Sequence, residues 1–117
     1  ALAEEYLRVL CAAGEYRQAL SVYEQLPAAD QARDRVQILR GQIALGLGDL
    51  DTLEAVLGRE YAIVREGETA LTDLWAELWA RRHAAATGRP PDDALRAEAA
   101  RLHPPPARID FRMLGSV

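Results

Sequence analysis

The side chains that most often carry out chemistry in proteins are few in this chain, and their spacing does not bring them together. His83 and His103 are far apart in sequence, with no carboxylate or thiol at the spacing of a zinc site. Cys11 is the only cysteine and has no local sequence that ties it to a general base. The adjacent acids Glu4 and Glu5 splay apart on a helix, whereas acid–base catalysis needs two groups in one cleft. These patterns predict no catalytic residues, no cofactor and no metal.

Two tryptophans, Trp75 and Trp79, stand one helical turn apart. Such a pair can stack on the face of a sugar ring. It can also be ordinary packing, because both positions continue the leucine stripe of Leu71, Leu74 and Leu78. The spacing favours packing and leaves the sugar-binding alternative open.

Composition and charge narrow the class of protein. The chain has 117 residues, half of them apolar, and a net charge of −4. All 14 basic residues are arginine, which indicates the codon usage of a GC-rich, bacterial genome. The sequence lacks the cluster of basic residues that nucleic-acid binding requires, so a nucleic-acid partner is not expected. It also lacks an apolar run long enough for a membrane span, so no membrane partner is expected. A single cysteine fits a reducing compartment, so we expect a cytoplasmic protein. The chain starts in helical register without methionine, which suggests a fragment of a longer protein.

Apolar residues recur at helical spacing over most of the chain, and alanine is abundant, so the prediction is an all-α fold. Asp30 and Asp51 are the expected N-caps of the third and fourth helices, with Glu54 as the reciprocal partner of Asp51. Gly14 and the pair Gly46 and Gly48 are expected to end helices. The predicted helices span residues 2–13, 16–26, 31–47, 51–58, 69–87 and 92–102.

Two similar glycine-containing turns occur in the chain, at Gly14 and at Gly48. The interval between them is about 34 residues, a period typical of stacked helical hairpins. This period and the residues around each turn resemble tetratricopeptide repeats. The matching positions are Gly14, Tyr16, Ala19 and Tyr23 in the first unit and Gly41, Gly48, Asp49 and Leu50 in the second. The second unit has Leu53 where the family has a small alanine, and the third unit is longer, since Gly88 follows Gly48 by more than one such period. The resemblance implies an α–α superhelix of about three hairpins over residues 1–103, with units at 1–33, 34–67 and 68–103.

The second half carries a narrower resemblance. Residues 65–75 and 109–113 are similar to the C-terminal region of a large bacterial family of unknown function. In that family, tetratricopeptide-like helices follow domains similar to sugar-binding β-sandwiches. This likeness implies an accessory helical region of a carbohydrate-related protein.

The repeat resemblance also implies a binding surface, because such repeats hold partners along the inner, concave side of their first helices. Arginine there suits a carboxylate, since its planar guanidinium makes two parallel hydrogen bonds. An acidic Glu4 argues against recognition of a chaperone's C-terminal carboxylate. We therefore expect a non-catalytic module for protein–protein or interdomain contacts, with a composite sugar site as the alternative. The candidate binding residues are Arg8, Arg35, Ile38, Gln42, Trp79 and His83.

The last segment, residues 104–117, begins with three prolines that exclude helix and favour an extended backbone. Ile109, Phe111 and Met113 then alternate with polar residues. We expect these apolar side chains to cover the last hairpin, because a terminal repeat needs a cap. The alternative is that they dock on another domain or subunit.

Overall fold

The computed structural model describes residues 2–61, 70–106 and 109. Seven α-helices lie in these ranges and no strand does, so the predicted all-α fold is confirmed. None of the described helices combines the length and the apolar character that a bilayer crossing requires. The helices are α1 (Leu2–Ala12), α2 (Tyr16–Glu24), α3 (Ala28–Gln31), α4 (Asp34–Leu47), α5 (Leu50–Gly58), α6 (Ala70–Thr87) and α7 (Asp93–Leu102).

The two glycines that mark the sequence repeat end helices as predicted. Gly14 follows α1 and Gly48 follows α4, with φ angles of 77° and 76°. Side chains are strained in this left-handed region and glycine is not. Each glycine therefore lets the chain turn back sharply, so that the next helix packs on the one before.

The expected start of the third helix is wrong by three residues. Asp30 does not cap it; it lies inside the short helix α3, where its backbone N–H bonds to the carbonyl of Pro27. Helix α4 begins at Asp34 after Arg33, which makes no side-chain cap. Pro27 explains the difference, because its fixed φ suits the start of a helical turn as well as the end of α2.

The expected cap of the fourth helix is also displaced. Asp49, not Asp51, is the N-cap of α5, and its carboxylate accepts hydrogen bonds from the backbone N–H and the hydroxyl of Thr52. Asp51 and Glu54 do not form a capping box. Both instead pair with Arg82 of α6, at 3.1 and 2.9 Å.

The longer helices pack as three successive hairpins, α1–α2, α4–α5 and α6–α7. Helix α4 also contacts α1 and α2 of the first hairpin and α6 of the third, and α6 also contacts α5. Two apolar clusters fill the contacts between successive hairpins, which we call the seams. One joins the first hairpin to α4 through Leu7, Leu10, Cys11, Ala19, Val36, Leu39 and Ile43. The other joins α4 and α5 to α6 through Ile38, Ala44, Leu53, Leu57, Leu71, Leu74 and Leu78.

Small residues let the helices approach at these seams. Ala19 is buried, and a Cβ on Gly41 would lie 3.2 Å from side-chain atoms of both Leu74 and Val56. Gly46 does not end α4, as the sequence suggested; it lies inside the helix beneath the ring of Tyr16. Its role is therefore close packing and not termination.

One residue of the C-terminal segment contributes to the core. Ile109 is fully buried in the cluster with α4, α5 and α6, and its backbone N–H bonds to the carbonyl of Pro106. The expectation that the tail covers the last hairpin stays a prediction, because Ile109 is the only described residue beyond Pro106 and its cluster includes α6 but no residue of α7. Phe111 and Met113 lie outside the described residues, as do residues 62–69, which include the expected first residue of the fifth helix.

Candidate functional site

The first helices of the three hairpins, α1, α4 and α6, lie side by side in that order. We call their outward side, away from the packed clusters, the first-helix surface. On α4, the buried residues Ile38 and Leu39 flank a narrow strip that carries Arg35, which is exposed, and Gln42, which is half-buried. These two predicted binding residues therefore share one side of α4. The third predicted residue of this helix, Ile38, belongs to the core and offers little surface to a partner.

On α1, Arg8 lies beside a buried carboxylate. The side chain of Glu4 is only 9% exposed, with its two oxygens 3.5 Å from Arg8 Nη2 and 3.2 Å from Arg33 Nη2. Both arginine side chains remain about half exposed. Arg33 was not a sequence candidate, because it comes from the loop before α4 and only the folded chain brings it to α1. Glu4 therefore neutralises part of the positive charge of Arg8 and Arg33 and is itself shielded from a partner.

On α6, Arg81 contacts α4 and its neighbour Glu77 contacts α7. Arg81 donates a hydrogen bond to the carbonyl of Leu45 on α4, at 3.2 Å, and pairs with Glu77 at 3.7 Å. Glu77 also bonds to Arg96 of α7. The sequence indicates which α6 residue is equivalent to Gln42 of α4. Leu71 and Leu78 have the same spacing as the buried pair Val36 and Ile43 of α4. When these two pairs are aligned, Glu77 takes the position of Gln42.

Trp79 and His83, the candidates from the third unit, lie on a different side of α6. They line an open pocket of about 540 Å³ with Leu50, Arg82, Ala85, Ala86 and His103. None of the candidates from α1 and α4 lines this pocket. Of the six predicted residues, the structure thus brings only Trp79 and His83 together there, and it adds His103, which follows the next helix in the sequence.

Both indoles are engaged in packing. The ring of Trp79 stacks on that of His103 at a centroid distance of 4.1 Å and an angle of 12°. Trp75 donates a hydrogen bond from Nε1 to the backbone carbonyl of His103, at 2.8 Å. Both rings pack against the cluster that joins α4 and α5 to α6. This is the packing arrangement that the leucine stripe favoured, and it occupies one face of Trp79.

One lining residue of the pocket, His83, contacts an acid of α7. His83 Nε2 lies 3.4 Å from Glu98 Oε2, and Glu98 also bonds to Arg89. The hydrogen bond from Arg89, and then that from His83, lower the pKa of the Glu98 carboxyl. Glu98 is thus held as an anion. No group of three or more His, Cys, Asp or Glu side chains that could hold a metal occurs in the described ranges.

Comparison of the chain with models of protein families, with curated proteins and with solved structures finds no match. The tetratricopeptide likeness and the likeness of the second half to a bacterial family therefore rest on the residues quoted above. Both stay predictions.

Proposed function

We propose that this chain is a non-catalytic helical-repeat module that mediates protein–protein or interdomain contacts across the first-helix surface. The observation that carries the proposal is the serial packing of the hairpins, because it sets three first helices side by side, with Arg8 exposed on α1 and Arg35 exposed on α4. Extended surfaces built in this way are typical of repeat proteins that bind other chains.

The chemistry of the surface supports a partner with carboxylate groups. Arg8 and Arg35 are exposed, and Gln42, on the same side of α4 as Arg35, offers an amide. A guanidinium group can hold a carboxylate through two hydrogen bonds, and it is more weakly hydrated than an ammonium group. Because Glu4 and Glu77 already pair with neighbouring arginines, we expect moderate and not tight binding. The buried, unpaired thiol of Cys11 fits a cytoplasmic protein.

Phage display tests this proposal, by selecting from random peptides those that bind the protein. We expect enriched acidic peptides whose affinity falls at least about fivefold in Arg35→Ala and in Gln42→Ala. The matched control is Arg17→Ala, which removes an exposed arginine from the second helix of the first hairpin. Failure to enrich any peptide, or equal effects of the Arg17 and Arg35 changes, would reject the first-helix surface as the contact site.

The second candidate function is an accessory domain of a bacterial carbohydrate-related protein. The pocket beside Trp79 favours it, because it combines an aromatic ring with Arg82, His83 and His103. The stacking of His103 on Trp79 argues against it, since that face cannot also hold a sugar. Calorimetric titration with neutral and acidic oligosaccharides distinguishes the two functions. Heat that disappears in His83→Ala and persists in Arg35→Ala would favour the sugar site.

A further inference from the structure

A row of apolar side chains on α1 is exposed to solvent. Leu2, Tyr6 and Val9 are 83%, 44% and 62% exposed and fall at positions i, i+4 and i+7, which lie on one side of a helix. We call these three residues the α1 stripe. Single exposed apolar residues are ordinary, but an aligned set on a terminal helix is a candidate contact surface.

The repeat shows what covers the same positions elsewhere in this chain. The interval that takes Gly14 to Gly48 also takes Leu2 to Val36 and Val9 to Ile43. Val36 and Ile43 are 1% and 0% exposed, and they are buried in the cluster that contains Leu7, Leu10, Cys11 and Ala19 of the preceding hairpin. Two of the three stripe positions, those of Leu2 and Val9, therefore correspond on α4 to residues that pack against the hairpin before it.

The third hairpin repeats the arrangement. Leu71 and Leu78 of α6, one repeat beyond Val36 and Ile43, are fully buried in a cluster with Leu53 and Leu57 of α5. Two of the three first helices thus use one equally spaced pair of apolar positions to receive the hairpin before them. Only α1, at the start of the described stack, leaves the pair open.

The α1 stripe also lacks the features of a cap. The terminal units of repeat arrays need a polar outer face to remain soluble, and this face presents two aliphatic side chains and an aromatic ring. Tyr6 is held in place, because its hydroxyl accepts a hydrogen bond from Nε2 of Gln18 on α2, at 2.9 Å. This hydrogen bond fixes the middle residue of the stripe against α2.

We infer that the α1 stripe is a docking surface for one helical hairpin, which lies on α1 as the first hairpin lies on α4. By the same equivalence, the second helix of that hairpin meets the stripe through the position that Ala19 occupies in the first hairpin and Leu53 in the second, both fully buried. This surface is at the end of the stack and is distinct from the first-helix surface, so the inference stands or falls independently of the proposed function.

The test supplies such a hairpin in register. In a fusion protein, a second copy of residues 1–34 is placed directly before residue 1 of the full chain. This length keeps the spacing of the repeat, so Leu2 and Val9 of the full chain take the positions that Val36 and Ile43 have in the natural chain. We expect one cooperative urea transition, a higher Tm than that of the unfused chain, and an m-value about 30% larger, in proportion to the added surface.

Placing a charged side chain in the new contact provides the control for the fusion protein. Val9→Glu in the original chain of the fusion should separate the added hairpin and abolish the gain in Tm, whereas Val9→Glu in the unfused chain should change Tm little. Leu102→Glu alters a residue of similar exposure (48%) on α7 and should leave the gain intact. Two separate transitions, or an unchanged Tm in the fusion, would overturn the inference. So would an unfused dimer that Val9→Glu dissociates, since the occupant would then be a second copy.

Discussion

The ring of Tyr16, at the start of α2, lies directly over Gly46 in α4. A Cβ built on Gly46 would stand well inside van der Waals contact with ring atoms Cγ, Cδ2 and Cε2 of Tyr16. The first hairpin and α4 reach their observed separation at this point because residue 46 has no side chain.

Gly46→Ala is therefore expected to destabilise the protein by about 1–3 kcal/mol, the usual cost of forcing extra atoms into a packed contact. Helix propensity acts in the opposite direction, because alanine is the better helix former. Urea denaturation measures the free energy of unfolding. The matched control is Gly58→Ala, also within a helix but with nothing within 4 Å of the added Cβ, which should be neutral or stabilising by up to about 1 kcal/mol. A Gly46→Ala protein as stable as the Gly58 variant would contradict the packing described here.

Asp49 should contribute more to stability than Asp51, although the two are neighbours on the same turn. Asp49→Ala removes the N-cap of α5 and is expected to cost about 1 kcal/mol. Asp51→Ala removes only a surface ion pair with Arg82, which should cost less than about 0.5 kcal/mol. Thermal unfolding of both variants checks the order, and equal losses would favour the capping box expected from the sequence.

The contribution of the Asp49 cap should depend on pH. The hydroxyl of Thr52, followed by its backbone N–H, lowers the pKa of Asp49 below the usual value for aspartate. A carboxyl whose pKa is lower in the folded chain stabilises fully above its unfolded pKa of about 3.9, and this stabilisation is lost as the pH falls through the folded pKa. The stability difference between the natural chain and Asp49→Ala should thus narrow below about pH 4. A difference that stays constant with pH would show that the charge of Asp49 is not involved.

Cys11 should resist alkylation while the protein is folded. The thiol is buried in the seam between the first hairpin and α4, and burial raises its pKa, so that little reactive thiolate forms. With iodoacetamide under mildly alkaline conditions, we expect the folded chain to react at least about tenfold more slowly than the same chain in denaturing guanidinium. Mass spectrometry follows the reaction, and equal rates in the two conditions would show that the seam opens readily.

Ile109 should anchor the C-terminal segment. Its side chain is fully buried in the core, so Ile109→Ala is expected to destabilise the protein by about 3 kcal/mol through lost burial and a residual cavity. Leu102→Ala shortens an aliphatic residue that is half exposed, and it should cost clearly less. If the two variants unfold at the same urea concentration, the segment does not cap the stack, and docking on another domain or subunit becomes the better explanation.

Much of this architecture follows from local sequence. Helical spacing of apolar residues, left-handed glycines at positions 14 and 48, and prolines at 90 and 91 act within one or two turns, so they define most helices to within a few residues. Local rules chose the wrong cap for α5, because Asp49 and Asp51 are both good N-cap residue types and only the folded turn shows that Asp49 is the one that reaches Thr52.

The direction in which each helix faces was decided by tertiary packing. The resemblance to tetratricopeptide repeats placed Trp79 and His83 beside the arginines of α1 and α4. However, α6 is longer than α1 and α4, and its register against α4 is set by Leu71 and Leu78. The contact of Tyr16 with Gly46 and the stacking of Trp79 on His103 likewise join residues from different helices. Spacing along the chain indicates which residues share a side of one helix. It does not indicate which helix covers that side, because the rotation of one helix against another depends on the fit of many side chains at once.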